Sequence, residues 1–151
     1  MSTSVDKKID ELLQSMTLKE KIGQLNMTTT PRTEEAFEKL RERLQRGEVG
    51  SIILASSDTA GNDPLERVNS AMCNRIQKVA IEEGPHGIPI IYGRDIIHGH
   101  RTIYPIPLAM AAAFNDDLVK QAYRYTAVES SAEGVHWTFA PMLDLCRDPR
   151  Y

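Results

Sequence analysis

The residues best able to do chemistry are clustered in one short segment near the middle of the chain. Residues 93–101 read GRDIIHGHR and combine a carboxylate, two imidazoles and two guanidinium groups directly after an apolar run. Asp95 is the leading candidate for a ligand contact, because one carboxylate can accept hydrogen bonds from two adjacent hydroxyl groups, as a sugar presents them. Such bonds contribute roughly 1.5 to 3 kcal/mol each, enough to select a hydroxyl configuration without any part in bond making.

A structural role for Asp95 is the alternative. The carboxylate would then neutralise Arg94 or Arg101 and cap nearby backbone amides, and composition alone does not choose between the two roles. His98 and His100 do not predict a metal site, because a two-residue spacing on a loop fixes no ligand geometry and no Cys or carboxylate cluster accompanies it. We expect His98 to pack under the loop with one ring nitrogen bonded to backbone, and His100 or Arg101 to border the pocket.

The other acidic and cysteine side chains favour structural roles. Asp144 and Asp148 invite assignment as a catalytic carboxylate pair, but Asp148 precedes a proline, where aspartate shapes turns. Asp144, near a strand end, is suited to holding loop amides or Arg147. Cys73 and Cys146 lack the spacing of a zinc site or a disulfide scaffold, so both are interpreted as free core thiols.

Composition excludes several classes of partner and of chemistry. The net charge is −3, from 18 basic and 21 acidic residues among 151, which gives no electrostatic case for nucleic acid or anionic lipid and favours a small or neutral ligand. No glycine-rich phosphate cradle, serine nucleophile elbow or Cys-x-x-Cys pair supports kinase, esterase or thioredoxin-like chemistry. His86 and His136 are interpreted as structural.

The chain is expected to be soluble. No stretch approaches the roughly 20 apolar residues that span a bilayer, and the opening MSTSVDKKIDELL is charged where a signal peptide needs an apolar core. The chain as given therefore predicts a cytoplasmic protein. A periplasmic or secreted parent with a removed leader is the alternative, so the compartment stays open.

The first 47 residues predict three leading helices. Thr17 and Glu20 form a capping box for the second, while Thr33 and Gly47 cap the two ends of the third. Residues 28–31 are interpreted as a loop. The apolar stripes are Val5, Ile9, Leu12, Leu13 and Met16, then Leu18, Ile22 and Leu25, then Phe37, Leu40 and Leu44.

From residue 48 onward, strands alternate with helices. Apolar runs predict buried strands at 49–55, 88–93 and 137–145, with 49–55 as the first. A loop with Pro105 and Pro107 precedes the last helix, which Asn115 caps and Gly134 ends. Another helix is predicted between the first two of these strands, beginning after Asp63-Pro64 and ending near Gly84. The predicted inward-facing residues are Leu65, Val68, Met72, Ile76 and Val79 in that helix, and Leu118, Ala122, Tyr125, Val128 and Ala132 in the last one.

This alternation predicts an α/β fold with a parallel sheet, whose ligand sites lie beyond the carboxyl ends of the strands. Asp95 and Arg147 both fall at such ends. A closed (β/α)8 barrel takes about 250 residues, so 151 residues with about three parallel strands predict an incomplete, N-terminal portion of a TIM-like barrel.

Three segments carry a family resemblance over nearly the whole chain. They are VDKKIDELLQSMTLKEKIGQL, GRDIIHGHRTIYPIPLAMAAAFN and WTFAPMLDLCRDPRY, in that order. They resemble successive segments of glycoside hydrolase family 3 β-glucosidases and β-glucan exohydrolases. The resemblance implies an incomplete N-terminal domain over 1–151, with leading helices in 1–47 and the first three strand-helix units in 48–151.

The resemblance also implies an activity and a set of contacts. The activity is retaining, exo-acting hydrolysis of terminal β-D-glucosyl residues of oligosaccharides through a covalent glycosyl-enzyme intermediate, with no cofactor and no metal. Asp95 matches an aspartate that grips sugar hydroxyls, and Arg101 is the second candidate substrate contact. His98, Met142 and Arg147 are candidates for lining the pocket.

The chain departs from the family pattern at its end. The RDPR motif normally continues to a Gly-Arg pair, whereas Tyr151 is the last residue here. The family's Lys-His contacts, its nucleophilic aspartate and its acid/base glutamate come later, so no catalytic residue is assigned and the 151 residues alone are expected to be inactive.

Two other interpretations remain open. One is a noncatalytic sugar-binding or assembly module, whose partner would be the rest of the barrel or a second chain that completes the sheet. The other is a natural, proteolytic or partial piece of the enzyme.

Overall fold

A computed structural model describes residues 4–55 and 70–141, together with Leu145 and Arg147. The chain divides into two compact units, Met1–Tyr92 and Gly93–Tyr151. Within the described residues, every helix is too short or too polar to cross a membrane.

The described elements alternate between helices and short strands. In chain order they are α1 (Ser4–Ser15), α2 (Leu18–Gln24), β1 (Met27–Thr29), α3 (Glu34–Gln45), β2 (Ser51–Ile53), α4 (Ser70–Glu82), β3 (Ile91–Arg94), α5 (Pro107–Ala112), α6 (Asp116–Ala132) and β4 (Trp137–Thr138). The strand order in the sheet is β1-β2-β3-β4. The pairing is parallel, with Met27 opposite Ser51 and Gly93 opposite Trp137, which confirms the predicted α/β class.

The helix caps formed by side chains lie where the sequence predicts them. The Thr17 hydroxyl accepts a hydrogen bond from the Glu20 backbone N–H at 3.3 Å, and the Glu20 carboxylate accepts one from the Thr17 N–H at 2.7 Å. Thr33 caps α3 through the Ala36 N–H, and Asn115 caps α6 through the Leu118 N–H. Each cap satisfies a backbone donor that the first helical turn leaves without a partner.

The core of the first unit lies between α3, α4 and β2. Side chains of α3 and α4 face each other, and Arg75 of α4 lies 3.6 Å above the centre of the Phe37 ring while pairing with Glu34 at 2.6 and 2.8 Å. The residues of α3, β2 and α4 that are buried here include Phe37, Leu40, Leu44, Ile52, Cys73, Ile76 and Val79. These agree with the predicted stripes, although Leu65 and Val68 lie outside the described residues.

The first strand, β1, includes Thr28 and Thr29 of the segment interpreted as a loop at 28–31, so the prediction that 49–55 forms the first strand was wrong. Thr28 and Thr29 of β1 pair with Ile52 and Ile53 of β2. Threonine suits a strand because it is β-branched, but the partner strand lies more than twenty residues away and leaves no local signal. The sheet therefore has four described strands rather than about three.

The third strand begins at Ile91, later than the predicted 88. Pro89 has no N–H to give to a ladder, and the backbone of Ile90 is satisfied by a side chain instead. Gln77 accepts from the Ile90 N–H at 2.8 Å and donates to its carbonyl at 2.7 Å. Sheet pairing consequently starts only with the Ile91 N–H, which donates to the Gly50 carbonyl at 3.3 Å.

The predicted inward face of α6 was wrong. Leu118, Tyr125 and Val128 are 58, 59 and 62% exposed, whereas Thr126 and Ser130 are buried. Burial of these hydroxyls is tolerated because they donate to carbonyls one turn earlier, Thr126 to Ala122 and Ser130 to Thr126, both at 2.9 Å. The apolar stripe instead lines a hollow of about 330 Å³ against α5, which begins at a proline inside the predicted loop.

The strand predicted at 137–145 is short, because β4 comprises only Trp137 and Thr138. Residues 142–144, including Met142 and Asp144, lie outside the described residues, as do Cys146 and Asp148.

Candidate functional site

Asp95 follows β3 directly, at the carboxyl end of a parallel strand. Its neighbours fix its backbone: Arg94 is 5% exposed and its carbonyl accepts a hydrogen bond from the Phe139 N–H at 3.3 Å, and Ile96 is 2% exposed. The Asp95 side chain is half-buried. Arg94 belongs to the strand itself and not, as predicted, to the polar segment after it, because its backbone pairs with Thr138.

Gly93 allows the Phe139 ring to approach the end of β3 closely. A Cβ atom there would lie 2.8 Å from Cζ of the Phe139 ring, closer than real Cβ atoms approach. The absence of a side chain at Gly93 lets the Phe139 ring lie against the strand. The backbone that carries Asp95 is therefore tightly confined on one side.

Residues 95–106 form a loop that is closed by its own hydrogen bonds. His98 Nδ1 lies 2.8 Å from the Tyr104 carbonyl oxygen, and the Tyr104 N–H donates to the His98 carbonyl at 2.7 Å. This confirms the predicted bond between the His98 ring and the backbone. Gly99 and Ile103 add an antiparallel bridge, and Gly99 adopts φ 129°, a conformation that a side chain would strain.

Side chains of α6 and of its C-terminal cap hold this loop. The Tyr123 hydroxyl donates to the Ile97 carbonyl at 3.0 Å. Glu129 accepts from the Arg101 N–H at 3.1 Å, the Thr102 N–H at 3.0 Å and the Thr102 hydroxyl at 2.6 Å. Glu133, one turn further along, contacts His100 and Arg101. These contacts hold six groups of the loop, all within residues 97–102.

His100 and Arg101 differ sharply in exposure although both contact Glu133. The His100 ring is 2% exposed, with Nε2 at 2.8 Å from Glu133 Oε2, so it is built into the loop's base. The Arg101 side chain is 62% exposed and bonds Glu133 through Nε. Of the two residues expected to border a pocket, Arg101 is the one with an accessible guanidinium, and its contact with a ligand remains a prediction.

The two carboxylates that hold the loop, Glu129 of α6 and Glu133 at its C-terminal cap, favour the ionised form. The pKa of Glu129 lies below its ordinary value, first because the Thr102 hydroxyl donates to it and next because the Thr102 N–H does. Partial burial opposes ionisation of Glu133, but hydrogen bonds from His100 and Arg101 outweigh it and lower its pKa. The loop therefore meets two negative charges one helical turn apart.

Glu129 and Glu133 were missed by the sequence reasoning, which concentrated on residues 93–101. The available signal was their i,i+4 spacing, which places two acids on one helix face. Of the remaining candidates, Arg147 is exposed, His136 is exposed, and His86 is largely buried beside Glu20. Among the described residues, no group of three or more His, Cys, Asp or Glu side chains is placed to hold a metal ion.

Cys73 is a free thiol buried in α4. Burial raises its pKa, so it remains a neutral thiol, and its own carbonyl accepts the Tyr92 hydroxyl at 2.8 Å. This confirms the expected core role of Cys73.

Comparison with known proteins identifies relatives over almost all of the chain. The model of the family described as "Glycosyl hydrolase family 3 N terminal domain" matches residues 17–151. The periplasmic beta-glucosidase of Salmonella typhimurium is 33% identical over 143 residues, which cover 95% of this chain and 17% of that protein. The lysosomal beta glucosidase of Dictyostelium discoideum is 33% identical over 158 residues, covering 93% and 19%.

A solved structure of a relative also superposes on almost the whole chain. The beta-glucosidase from Listeria innocua in complex with glucose superposes with a TM-score of 0.75 at 31% identity, covering 96% of this chain and 20% of that one. The same protein in complex with isofagomine superposes with a TM-score of 0.73, covering 100% and 19%. The chain therefore spans about a fifth of the length of these relatives.

Proposed function

The chain belongs to glycoside hydrolase family 3, whose N-terminal domain it represents, and we propose that it supplies part of the sugar-binding subsite of a retaining, exo-acting β-glucosidase. The reaction is hydrolysis of terminal β-D-glucosyl residues of oligosaccharides. The nucleophile and the acid/base of that reaction lie outside these 151 residues in this proposal, so no residue of the chain is assigned a catalytic role.

The position of Asp95 is the observation that carries the proposal. Ligands of parallel α/β sheets bind beyond the carboxyl ends of the strands, and Asp95 stands there on a backbone confined by the buried Arg94 and Ile96. A half-buried carboxylate on rigid backbone is suited to holding two vicinal hydroxyls, because little conformational freedom is lost when they bind. The glucose complex of the Listeria relative supports a sugar as the ligand.

Asp95 would act on binding and orientation rather than on the bond itself. It accepts hydrogen bonds from sugar hydroxyls, and in the double displacement these bonds hold the ring while carboxylates from elsewhere attack and protonate. Arg101 is proposed as a second contact. His98 and Arg147 are proposed at the border of the subsite, together with Met142.

The test is hydrolysis of 4-nitrophenyl β-glucoside by the full natural protein that carries this sequence. Replacing Asp95 by Ala removes two hydrogen bonds to a charge, which at roughly 1.5 to 3 kcal/mol each lowers kcat/KM by about 10² to 10⁴. Asp117→Asn, on the exposed first turn of α6, is the matched control and should change kcat/KM less than about twofold. If Asp95→Ala keeps the activity of the parent, Asp95 is not part of the sugar-binding subsite.

A noncatalytic assembly module is the second candidate, favoured by exposed apolar surface in the second unit. Phe114 and Leu108 are 94 and 78% exposed, and the hollow between α5 and α6 is lined by Met110 and Tyr125. Apolar surface of this kind marks a place where another chain segment packs. Sedimentation of the isolated 151 residues as a compact, stable monomer would count against this candidate.

A further inference from the structure

The loop after Asp95 is tied to α6 by charge-assisted hydrogen bonds that converge on Arg101. Glu129 takes the Arg101 backbone N–H, and Glu133 takes the Arg101 Nε–H. Backbone and side chain of one exposed residue are thus fixed by two acids from a single helix. These contacts restrict the rotamers of Arg101. Part of the side-chain entropy that a ligand contact would cost is therefore already lost before a ligand binds.

The Arg101 guanidinium has N–H donors that Glu133 does not engage. The contact employs Nε, and within the part of the chain that the structure describes, Nη1 and Nη2 remain for another acceptor. A guanidinium held by one carboxylate still presents a planar pair of donors. His100 completes the support, because its buried ring bonds the second oxygen of Glu133 and so fixes the orientation of that carboxylate.

We infer that Glu129 and Glu133 are positioning residues, which hold the loop and present the Arg101 guanidinium to an oxygen of the bound sugar. This inference rests on the proposed function and assigns to two acids of α6 a role in its sugar-binding subsite. Neither acid touches the sugar: Glu129 fixes where Arg101 leaves the loop, and Glu133 fixes which way its side chain extends.

The inference is tested by steady-state kinetics of the full natural protein on 4-nitrophenyl β-glucoside. An Arg101 contact that is equally strong in the ground and transition states sets KM alone, so Glu133→Ala and Arg101→Ala should each raise KM by about tenfold with little change in kcat. Glu129→Ala should do the same, and Glu129→Gln, which keeps an acceptor, should recover most of the loss. Glu82→Ala, an exposed acid of α4, is the control.

The double variant separates positioning from general stability. If Glu133 acts through Arg101, then Glu133→Ala adds little to the KM of Arg101→Ala, whereas a merely structural role gives additive effects. Additive effects, or unchanged KM in the single variants, overturn the inference.

A protein without β-glucosidase activity would refute the proposed function, and amide hydrogen exchange would then decide the inference about the loop. In Glu129→Ala, the Arg101 and Thr102 amides should exchange at least about tenfold faster than in the parent, because both lose their acceptor. Exchange that stays at the parent's rate overturns the positioning role. If Glu129→Ala does not fold, Glu129→Gln is measured instead: a neutral amide oxygen is a weaker acceptor than a carboxylate, so the same two amides should exchange faster than in the parent by a smaller factor.

Discussion

The Nε2 atom of His86 lies 3.3 Å from Oε2 of Glu20, which joins the capping box of α2 to the turn that follows α4. Glu20 also accepts the Thr17 N–H and the Thr17 hydroxyl, at 2.7 and 2.8 Å. The two atoms are close but are not aligned as a hydrogen bond. One carboxylate thus stabilises a helix start and a contact distant in sequence.

This carboxylate should make stability fall in acid. The Thr17 N–H, then the Thr17 hydroxyl, then His86 lower the pKa of Glu20 from its ordinary 4.5 to about 2. A lowered folded-state pKa means that its stabilisation is complete above pH 4.5 and is lost as the pH falls through about 2. Thermal melts of the protein and of Glu20→Gln should therefore differ most above pH 4.5 and converge toward pH 2. A difference that is constant with pH would contradict this, and Glu11→Gln on the exposed face of α1 is the control.

Gly99 should tolerate no side chain. Its φ is 129°, and an added Cβ would lie 2.1 Å from the Thr102 carbonyl oxygen, so Gly99→Ala must open the loop. We expect loss of sugar binding and a drop in unfolding free energy of about 1 to 3 kcal/mol. Gly134→Ala is the matched control, because Gly134 also has a positive φ, of 84°, but nothing within 4 Å of the added atom. Equal effects of the two substitutions on ligand affinity would show that backbone strain alone, without the clash, governs the loop.

A single cavity-forming substitution should lower the unfolding free energy of the first unit's core. Ile76 is 0% exposed, so Ile76→Ala should lower the unfolding free energy by about 2 to 5 kcal/mol, measured by denaturant titration. Ile81 belongs to the same helix but is 49% exposed, and Ile81→Ala should cost less than about 1 kcal/mol. Similar losses at both positions would mean that Ile81 is covered in solution.

The isolated 151 residues should not hydrolyse 4-nitrophenyl β-glucoside. Retaining hydrolysis requires two carboxylates, one as nucleophile and one as acid/base, and the family resemblance assigns neither to this chain. Clear turnover that Asp95→Ala abolishes would refute this expectation. Turnover that the substitution leaves unchanged would identify a contaminating enzyme instead.

The features that sequence predicted correctly are those determined by neighbours along the chain. The N-caps Thr17, Thr33 and Asn115 and the C-terminal glycines Gly47 and Gly134 are local, since each depends on hydrogen bonds or dihedral angles within a few residues. The α3 and α4 stripes were also predictable, because a helix that packs on a sheet needs one continuous apolar face.

The features that sequence did not predict depend on partners far along the chain. β1 exists because β2 pairs with it, and β3 starts late because Gln77 replaces a strand at Ile90. The buried face of α6 escaped prediction because it carries the hydroxyls of Thr126 and Ser130, which bond to carbonyls of the helix itself, and so it shows no apolar stripe. In the candidate site, the position of Asp95 after a strand was predictable. The contacts of Glu129 and Glu133 were not, because they join α6 to a loop more than twenty residues earlier in the chain.

The polar attachment of the 95–106 loop to α6 also has a thermal consequence. Heat capacity rises on unfolding mainly when apolar surface meets water, and release of Arg101 and Thr102 from Glu129, with Ile96 still buried, would chiefly expose a carboxylate, amides and a hydroxyl. The free energy of loop opening should therefore change almost linearly with temperature, without the curvature that marks melting of the core around Ile52 and Ile76. Warming would release this segment of the second unit gradually, while the core of the first unit stays folded up to a cooperative transition.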